Sequence, residues 1–361
     1  MRSLVLLKES PAFPEDKKIL GRTLADRQII PAARAGFQTP PDFSGPVLIL
    51  PSSLLLSSQL WKKLAALPLE PETMITGEDL PFCYVHTNNS ALLNRALSKG
   101  SAASALKELS LQIKNETIPL SSQDWIPCRD EKDLPAVEGW LLQGLVKDTE
   151  GFMSKHFERK ISLSLTRHAV ITPMTPNEMT IFSALIGVVG ACFFLSPSRW
   201  MNFVGALLFW LSSVLDGCDG EMARLKFIES RFGGVLDFWA DNVVHSAVFF
   251  CIACGYFRNA PIAPVLGALA VAGTLCSAGL VYWTTMRGKK QSEPVFTHVV
   301  ADSGPPSKFE RFIDFLARRD FIYLVIILSI FGKIHWFLWM GAAGSPIYFM
   351  ILLILNRGHH T

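Results

Sequence analysis

From about residue 179 onward the sequence runs through six apolar stretches, roughly 179–195, 199–217, 234–256, 260–286, 320–334 and 336–355, which read as membrane-crossing helices. A chain with that pattern is tightly constrained. In lipid every backbone polar group must find an internal partner, which leaves helices as the spanning element for apolar runs of this length. With 50% hydrophobic and 18% charged residues and a mean hydropathy of +0.30, the 361-residue chain is too apolar for an ordinary soluble protein. The excess is uneven: before about residue 170 the sequence mixes polar and apolar residues. The expected architecture is therefore an all-α polytopic membrane domain of six transmembrane helices, preceded by a small cytoplasmic α/β domain. The expected boundaries are 1–145 for the α/β domain, 146–170 for an amphipathic interfacial helix and linker, and 171–361 for the six-helix domain.

Between the second and third apolar stretches the sequence reads DGCDGEMARLKFIESRFGGVLDFWAD, Asp216 to Asp241. An Asp within a membrane span costs roughly 2.5 to 3.5 kcal/mol on insertion scales, so four aspartates at one depth need something that offsets them. A divalent cation does so. Asp216 and Asp219 are three apart and Ala223 follows four later, so all share one helix face, as do Asp237 and Asp241. If Leu225 to Phe232 is a turn between antiparallel helices, the two pairs face each other. Oxygen-only ligands suit Mg²⁺ or Mn²⁺ and poorly suit zinc. Two such ions roughly 3.5 to 4 Å apart would clamp a diphosphate. Gly220 and Gly233 let a ligand approach the backbone, or else serve close helix packing. Arg224 either forks onto phosphate oxygens or marks, with Lys226, the cytoplasmic side.

The pattern DxxDGxxAR followed by GxxxDxxxD, complete here as Asp216, Asp219, Gly220, Ala223, Arg224, Gly233, Asp237 and Asp241, resembles the signature of the CDP-alcohol phosphotransferase family. The resemblance implies an integral membrane enzyme that moves a phospho-alcohol from a CDP-linked donor to a second alcohol and releases CMP. It implies that Asp216, Asp219 and Asp237 are metal ligands and that Asp241 is the general base and also touches a second ion. Gly220, Ala223, Arg224 and Gly233 would surround the cytidine diphosphate. In the family a TPNxxT motif at the first membrane helix lines the same nucleotide site, which assigns Pro176, Asn177 and Thr180 of TPNEMT to the CDP moiety. Without the resemblance the same residues read as a helix start. The donor would be CDP-diacylglycerol or a CDP-polyol, and the acceptor a polyol or polyol phosphate. Lys308, Arg311, Arg318 and Arg319 would seat the acceptor phosphate, or else fix topology and contact headgroups. The family also suggests a homodimer.

Basic residues set the expected orientation. Arg224, Lys226 and Arg231 follow the second stretch, and Arg287, Lys289, Lys290, Lys308, Arg311, Arg318 and Arg319 follow the fourth, against Arg199, Arg258 and Lys333 in the opposite loops. By the positive-inside rule the active site and both termini face the cytoplasm, in an inner (plasma) membrane. The start, MRSLVLLKESPAF, has too short an apolar core for a signal peptide. A net charge of +3 gives no reason to expect nucleic acid; membrane lipids are the expected surface partner. Within Glu150 to His168, Phe152, Met153, Phe157, Ile161 and Leu165 interleave with Lys155, Arg159, Lys160 and Arg167, the pattern of a helix lying in the headgroup layer or of a linker helix packed on the soluble domain. The seven cysteines show no metal-ligand spacing outside a membrane span, as expected of a reduced cytoplasmic protein.

In the first domain, apolar runs Ser3 to Leu7 and Pro46 to Leu50 alternate with helix-like segments Leu24 to Ala35, Leu60 to Leu67 and Ala91 to Leu97. Gly21 to Phe37, GRTLADRQIIPAARAGF, resembles the second helix region of nucleotidyltransferase domains fused to some family members, including those making inositol-phosphate phosphodiesters. The place of the glycine-rich triphosphate loop reads KESPAFPEDKK, and the VLILPSS strand end lacks the expected metal-binding Asp. The expectation is a degenerate nucleotidyltransferase fold. Two rival readings of the whole chain are an ion-coupled transporter, which would scatter titratable residues along several helices, and a regulatory pseudoenzyme that binds CDP-alcohol.

Overall fold

A computed structural model describes residues 2–8, 13–14, 16–39, 45–77, 80–121, 123–146, 158–286 and 321–358. The chain divides into two compact units, Met1–Leu145 and Val146–Thr361.

The first unit is built on a six-stranded sheet in the order β4-β1-β5-β8-β7-β9, from β1 (Arg2–Leu7), β4 (Phe37–Gln38), β5 (Val47–Pro51), β7 (Thr73–Gly77), β8 (Leu80–His86) and β9 (Lys114–Ile118). β5 pairs parallel with β1 and antiparallel with β8, and β7 pairs antiparallel with β8 and parallel with β9. Every residue of β5 is buried, which is why VLILP reads as an unbroken apolar run. Short pairs β2 (Lys18–Ile19) with β3 (Arg22–Thr23), and β6 (Leu54–Leu56) with β10 (Trp125–Pro127), complete the strands described.

The helices start where cap chemistry tells them to. α1 (Leu24–Arg34) opens on a Thr23–Asp26 capping box, α2 (Ser58–Ala66) on Ser57 and α3 (Ser90–Leu97) on Asn89. These fall on the three helix-like segments expected from the sequence; α4 (Ala102–Ser110) and α5 (Leu134–Gln143) follow. One side of the sheet is filled by Trp61, Phe37 and Tyr84 in edge-to-face contact. Val47, Ile49, Met74, Val85, Leu93 and Leu109 belong to a second apolar cluster.

The second unit is helical: α6 (Arg159–Ala169), α7 (Pro176–Phe193), α8 (Arg199–Lys226), α9 (Arg231–Tyr256), α10 (Ala263–Val281, continued by a π turn to Met286), α11 (Phe321–Ile330) and α12 (His335–Gly358). Five of these are long and apolar enough to cross a membrane: α7, α8, α9, α10 with its π turn, and α12. At the remaining expected span, the described residues hold the ten-residue apolar helix α11. The second helix extends beyond the apolar stretch expected to cross the membrane. α8 runs on to Lys226, so the first two aspartates lie within the helix and not at its end.

Small residues set how closely the helices approach. A Cβ on Gly205 of α8 would stand 2.7 Å from the Gly190 carbonyl oxygen of α7, and one on Gly187 would stand 2.6 Å from Ser212 Oγ. α7 and α8 therefore meet nearly backbone to backbone. α8 ends in a left-handed Phe227 (φ 56°), with the Ile228 amide donating back to the Ala223 carbonyl; α9 starts at Arg231 with the Ser230 hydroxyl accepting from the Gly233 amide. The turn expected over Leu225–Phe232 is these few residues.

Candidate active site

Because α8 and α9 are joined by so short a turn, the aspartates on their facing turns converge. One ligand oxygen from each of Asp216, Asp219 and Asp237 lies within 4.8 Å of the others. Asp216 and Asp219 are buried, 6% and 7% exposed, and Asp237 is half-buried. Asp241 stands one turn beyond Asp237 on α9, half-buried and outside this trio. Three carboxylates this close repel one another unless a cation lies between them, and an all-oxygen set of this charge fits a hard divalent ion.

Asp219 is held by both α7 and its own helix. Its Oδ2 accepts from the Thr180 hydroxyl of α7 and its Oδ1 from the Gly220 amide. Thr180, assigned from the sequence to the nucleotide, is thus in contact with a metal-ligand candidate. Its hydroxyl also lies 3.1 Å from the Pro176 carbonyl, and since it has one proton the ionised acceptor is the stronger partner.

The TPN segment sits over the same end of the helices. Thr175 caps α7 in a reciprocal capping box with Glu178, and Lys226 Nζ donates to the Thr172 and Met174 carbonyls at 3.1 and 3.0 Å, tying the segment to the end of α8. Asn177 faces Gly233: a Cβ there would be 3.0 Å from Asn177 Oδ1. The Arg224 guanidinium folds back over Gly220, with Nη1 3.1 Å from where a Cβ would stand. Ala223 is half-buried on the aspartate face, one turn beyond Gly220. Pro176, Asn177, Thr180, Gly220, Ala223, Arg224 and Gly233 are therefore gathered about the carboxylates by α7, α8 and α9. Lys308, Arg311, Arg318 and Arg319 lie outside the described residues.

One part of the arrangement was not foreseen. Glu221, within the aspartate motif, is fully buried and bound by α6: Oε1 accepts from Arg159 Nη1 in an ion pair and from Ser162 Oγ at 2.8 Å, and Oε2 accepts from Thr166 Oγ1 at 2.6 Å. The signal was present as a further acid in a membrane helix, and as polar residues spaced along α6 at 159, 162 and 166. α6 thus turns its Ser162–Thr166 stripe toward α8, while Leu165 stays exposed.

The motif and its geometry together define a protein class. A family model described as CDP-alcohol phosphatidyltransferase matches residues 173–345, and this region of the chain is a domain of that family. The chain is similar to the bifunctional IPC transferase and DIPP synthase of Archaeoglobus fulgidus, 29% identical over 241 residues, 64% of this chain and 44% of that protein. It is also similar to the phosphatidylinositol phosphate synthase of Mycobacteroides abscessus, 36% identical over 99 residues, 27% of this chain and 44% of that protein. The chain thus spans less than half the length of these relatives. A crystal structure of Mycobacterium tuberculosis phosphatidylinositol phosphate synthase with CDP-DAG bound aligns over 54% of this chain and 92% of that one, at 23% identity and a TM-score of 0.38.

Proposed function

We propose that this protein transfers a phospho-alcohol group from a CDP-alcohol to an acceptor alcohol or polyol phosphate, with release of CMP. The observation that carries the reading is the convergence of Asp216, Asp219 and Asp237 within 4.8 Å, inside a family-matched region and beside Gly220 and Arg224. Asp216, Asp219 and Asp237 would hold Mg²⁺ or Mn²⁺, with Asp241 extending the set to a second ion. Bound there, the cations supply charge neutralisation to the diphosphate.

The chain's own residues account for the other tasks. Asp241 takes the proton from the acceptor hydroxyl as its oxygen bonds to the donor's β-phosphorus in line; the bond from that phosphorus to the bridging oxygen breaks, and CMP leaves with the electron pair. No covalent enzyme intermediate is required. Gly220 and Gly233 let Arg224 and Asn177 lie close against the backbone beside the nucleotide; Arg224 offers a planar cation to phosphate oxygens, and Pro176 borders the same site. The relative from M. abscessus, named for phosphatidylinositol phosphate synthesis, favours a polyol phosphate as acceptor and CDP-diacylglycerol as donor. The A. fulgidus relative, named as a bifunctional IPC transferase and DIPP synthase, supports a soluble CDP-polyol equally.

In this reading the membrane domain has six spans, α11 belonging to the fifth, with the aspartate site and the first unit cytoplasmic and α6 in the headgroup layer. The first unit is a degenerate nucleotidyltransferase, and Lys308, Arg311, Arg318 and Arg319 seat the acceptor phosphate. The functional form is a homodimer. The test is CMP release by purified protein with Mg²⁺ or Mn²⁺, offering CDP-diacylglycerol or CDP-inositol against a panel of polyols and polyol phosphates. Release that needs metal, acceptor and Asp241, and is lost in Asp241→Asn, is expected. Failure to release CMP or to bind CDP would overturn the reading.

A further inference from the structure

We propose that Glu221 is a positioning residue for this transfer: it fixes the Arg159 guanidinium on the flank of α8, where Arg159 joins Arg224 in taking up charge of the donor diphosphate. The proposal rests on the transferase reading above and extends it to an unspecified position within the family motif and to Arg159, which lies outside it.

Three observations carry it. Glu221 is fully buried, so it meets the ligand only through what it holds, and its two oxygens are occupied by Arg159, Ser162 and Thr166, all from α6. A buried carboxylate persists only when paired and hydrogen-bonded, and here the pairing delivers one defined cation.

The second observation is where that cation lies. Arg159 Nη1 is 3.8 Å from the position of a Cβ on Gly217, next in sequence to Asp216, and its side chain is 17% exposed. The third is the match with Arg224, whose guanidinium lies over Gly220. At about 100° per residue, Gly217 and Arg224 share a stripe two turns apart, immediately beside the stripe of Asp216, Asp219 and Ala223. Two guanidinium groups thus border the carboxylate cluster on the same side. A diphosphate held at the carboxylates through cations has its remaining anionic oxygens directed at groups of this kind, and a planar fork suits them. Glycine at 217 and 220 keeps both cations close to the helix surface.

The test compares steady-state kinetics of the full-length protein and its variants, with melting temperature recorded for each. Arg159→Ala should raise the KM for the CDP donor about tenfold with kcat little changed, the loss of one charge-assisted contact. Arg159→Lys should recover part of the loss. Glu221→Gln and Glu221→Ala should shift donor KM in the same direction, and Arg159→Ala combined with Glu221→Ala should be no worse than Arg159→Ala alone, because Glu221 acts through Arg159. If Arg159→Ala turns over with wild-type donor KM, or if the variants lose only melting temperature and combine additively, the proposal is overturned and the cluster is a helix clamp. Wild-type protein that neither releases CMP nor binds CDP would instead remove the transferase reading on which the proposal rests.

Discussion

Thr180 has a single hydroxyl proton, and giving it to Asp219 fixes which carboxylate oxygen faces away from α7. Groups that orient a metal ligand in this way typically matter 10- to 100-fold in affinity or activity. Thr180→Val should therefore weaken Mn²⁺ binding by about that factor while leaving the fold intact, and Thr180→Ser should restore it; isothermal titration of the metal distinguishes the two. A second buried cation works in the first unit. Arg27 donates through Nε and Nη2 to the Ile19 carbonyl at 3.0 and 2.7 Å and to the Leu20 carbonyl at 3.0 Å, closing a turn in which Leu20 and Gly21 both have positive φ. Burial pulls its pKa down to about 10, a measure of how fully the guanidinium has left water. Arg27→Met keeps most of the volume and strands two carbonyls, and should cost about 3 kcal/mol in chemical denaturation.

At the scale of elements, the site depends on how closely α7 approaches α8. Gly190→Ala or Gly205→Ala would place a methyl 2.8 Å from Leu208 Cβ or 2.7 Å from the Gly190 carbonyl. Neither neighbour can yield without moving a helix, so overpacking of about 1 to 3 kcal/mol is expected, together with a drop in Mn²⁺ affinity as Thr180 is drawn from Asp219. A stable variant with unchanged metal binding would show that the contact does not govern the site. In the first unit, burial pushes the Cys128 thiol up to about 11 and the Cys83 thiol higher still. Both should resist alkylation at pH 8 in native protein and react once it is denatured.

The elements were legible where chemistry repeats along the chain. Apolar runs located α7, α9, α10 and α12, and the helix-like segments of the first domain fell on α1 to α3. The apolar stretch alone stops short of the end of α8, whose last turns carry Asp216, Asp219, Glu221 and Arg224; there the aspartate spacing and the expected turn at Leu225–Phe232 marked the helix instead. What escaped was the polar stripe of α6: Ser162 and Thr166 are buried because they satisfy Glu221, a partner about 60 positions away.

For the whole molecule, local motif spacing foretold the aspartate trio, whereas the Glu221 cluster joins residues about 60 positions apart that nothing in the spacing pairs. The helical unit brings α6, α7, α8 and α9 to one place, with carboxylates along one stripe of α8 and guanidinium groups along the next. An ion pathway would scatter such charges through the helices; here three carboxylates converge at one place, as a divalent cation requires. The most direct test of that account is Mn²⁺ binding to the purified protein, followed by electron paramagnetic resonance with and without CDP. The account predicts that wild-type protein binds Mn²⁺, that CDP tightens the binding and alters the spectrum, and that Asp216→Asn, Asp219→Asn and Asp237→Asn each abolish both effects. CDP binding of equal strength without metal, or Mn²⁺ binding untouched by these substitutions, would contradict it.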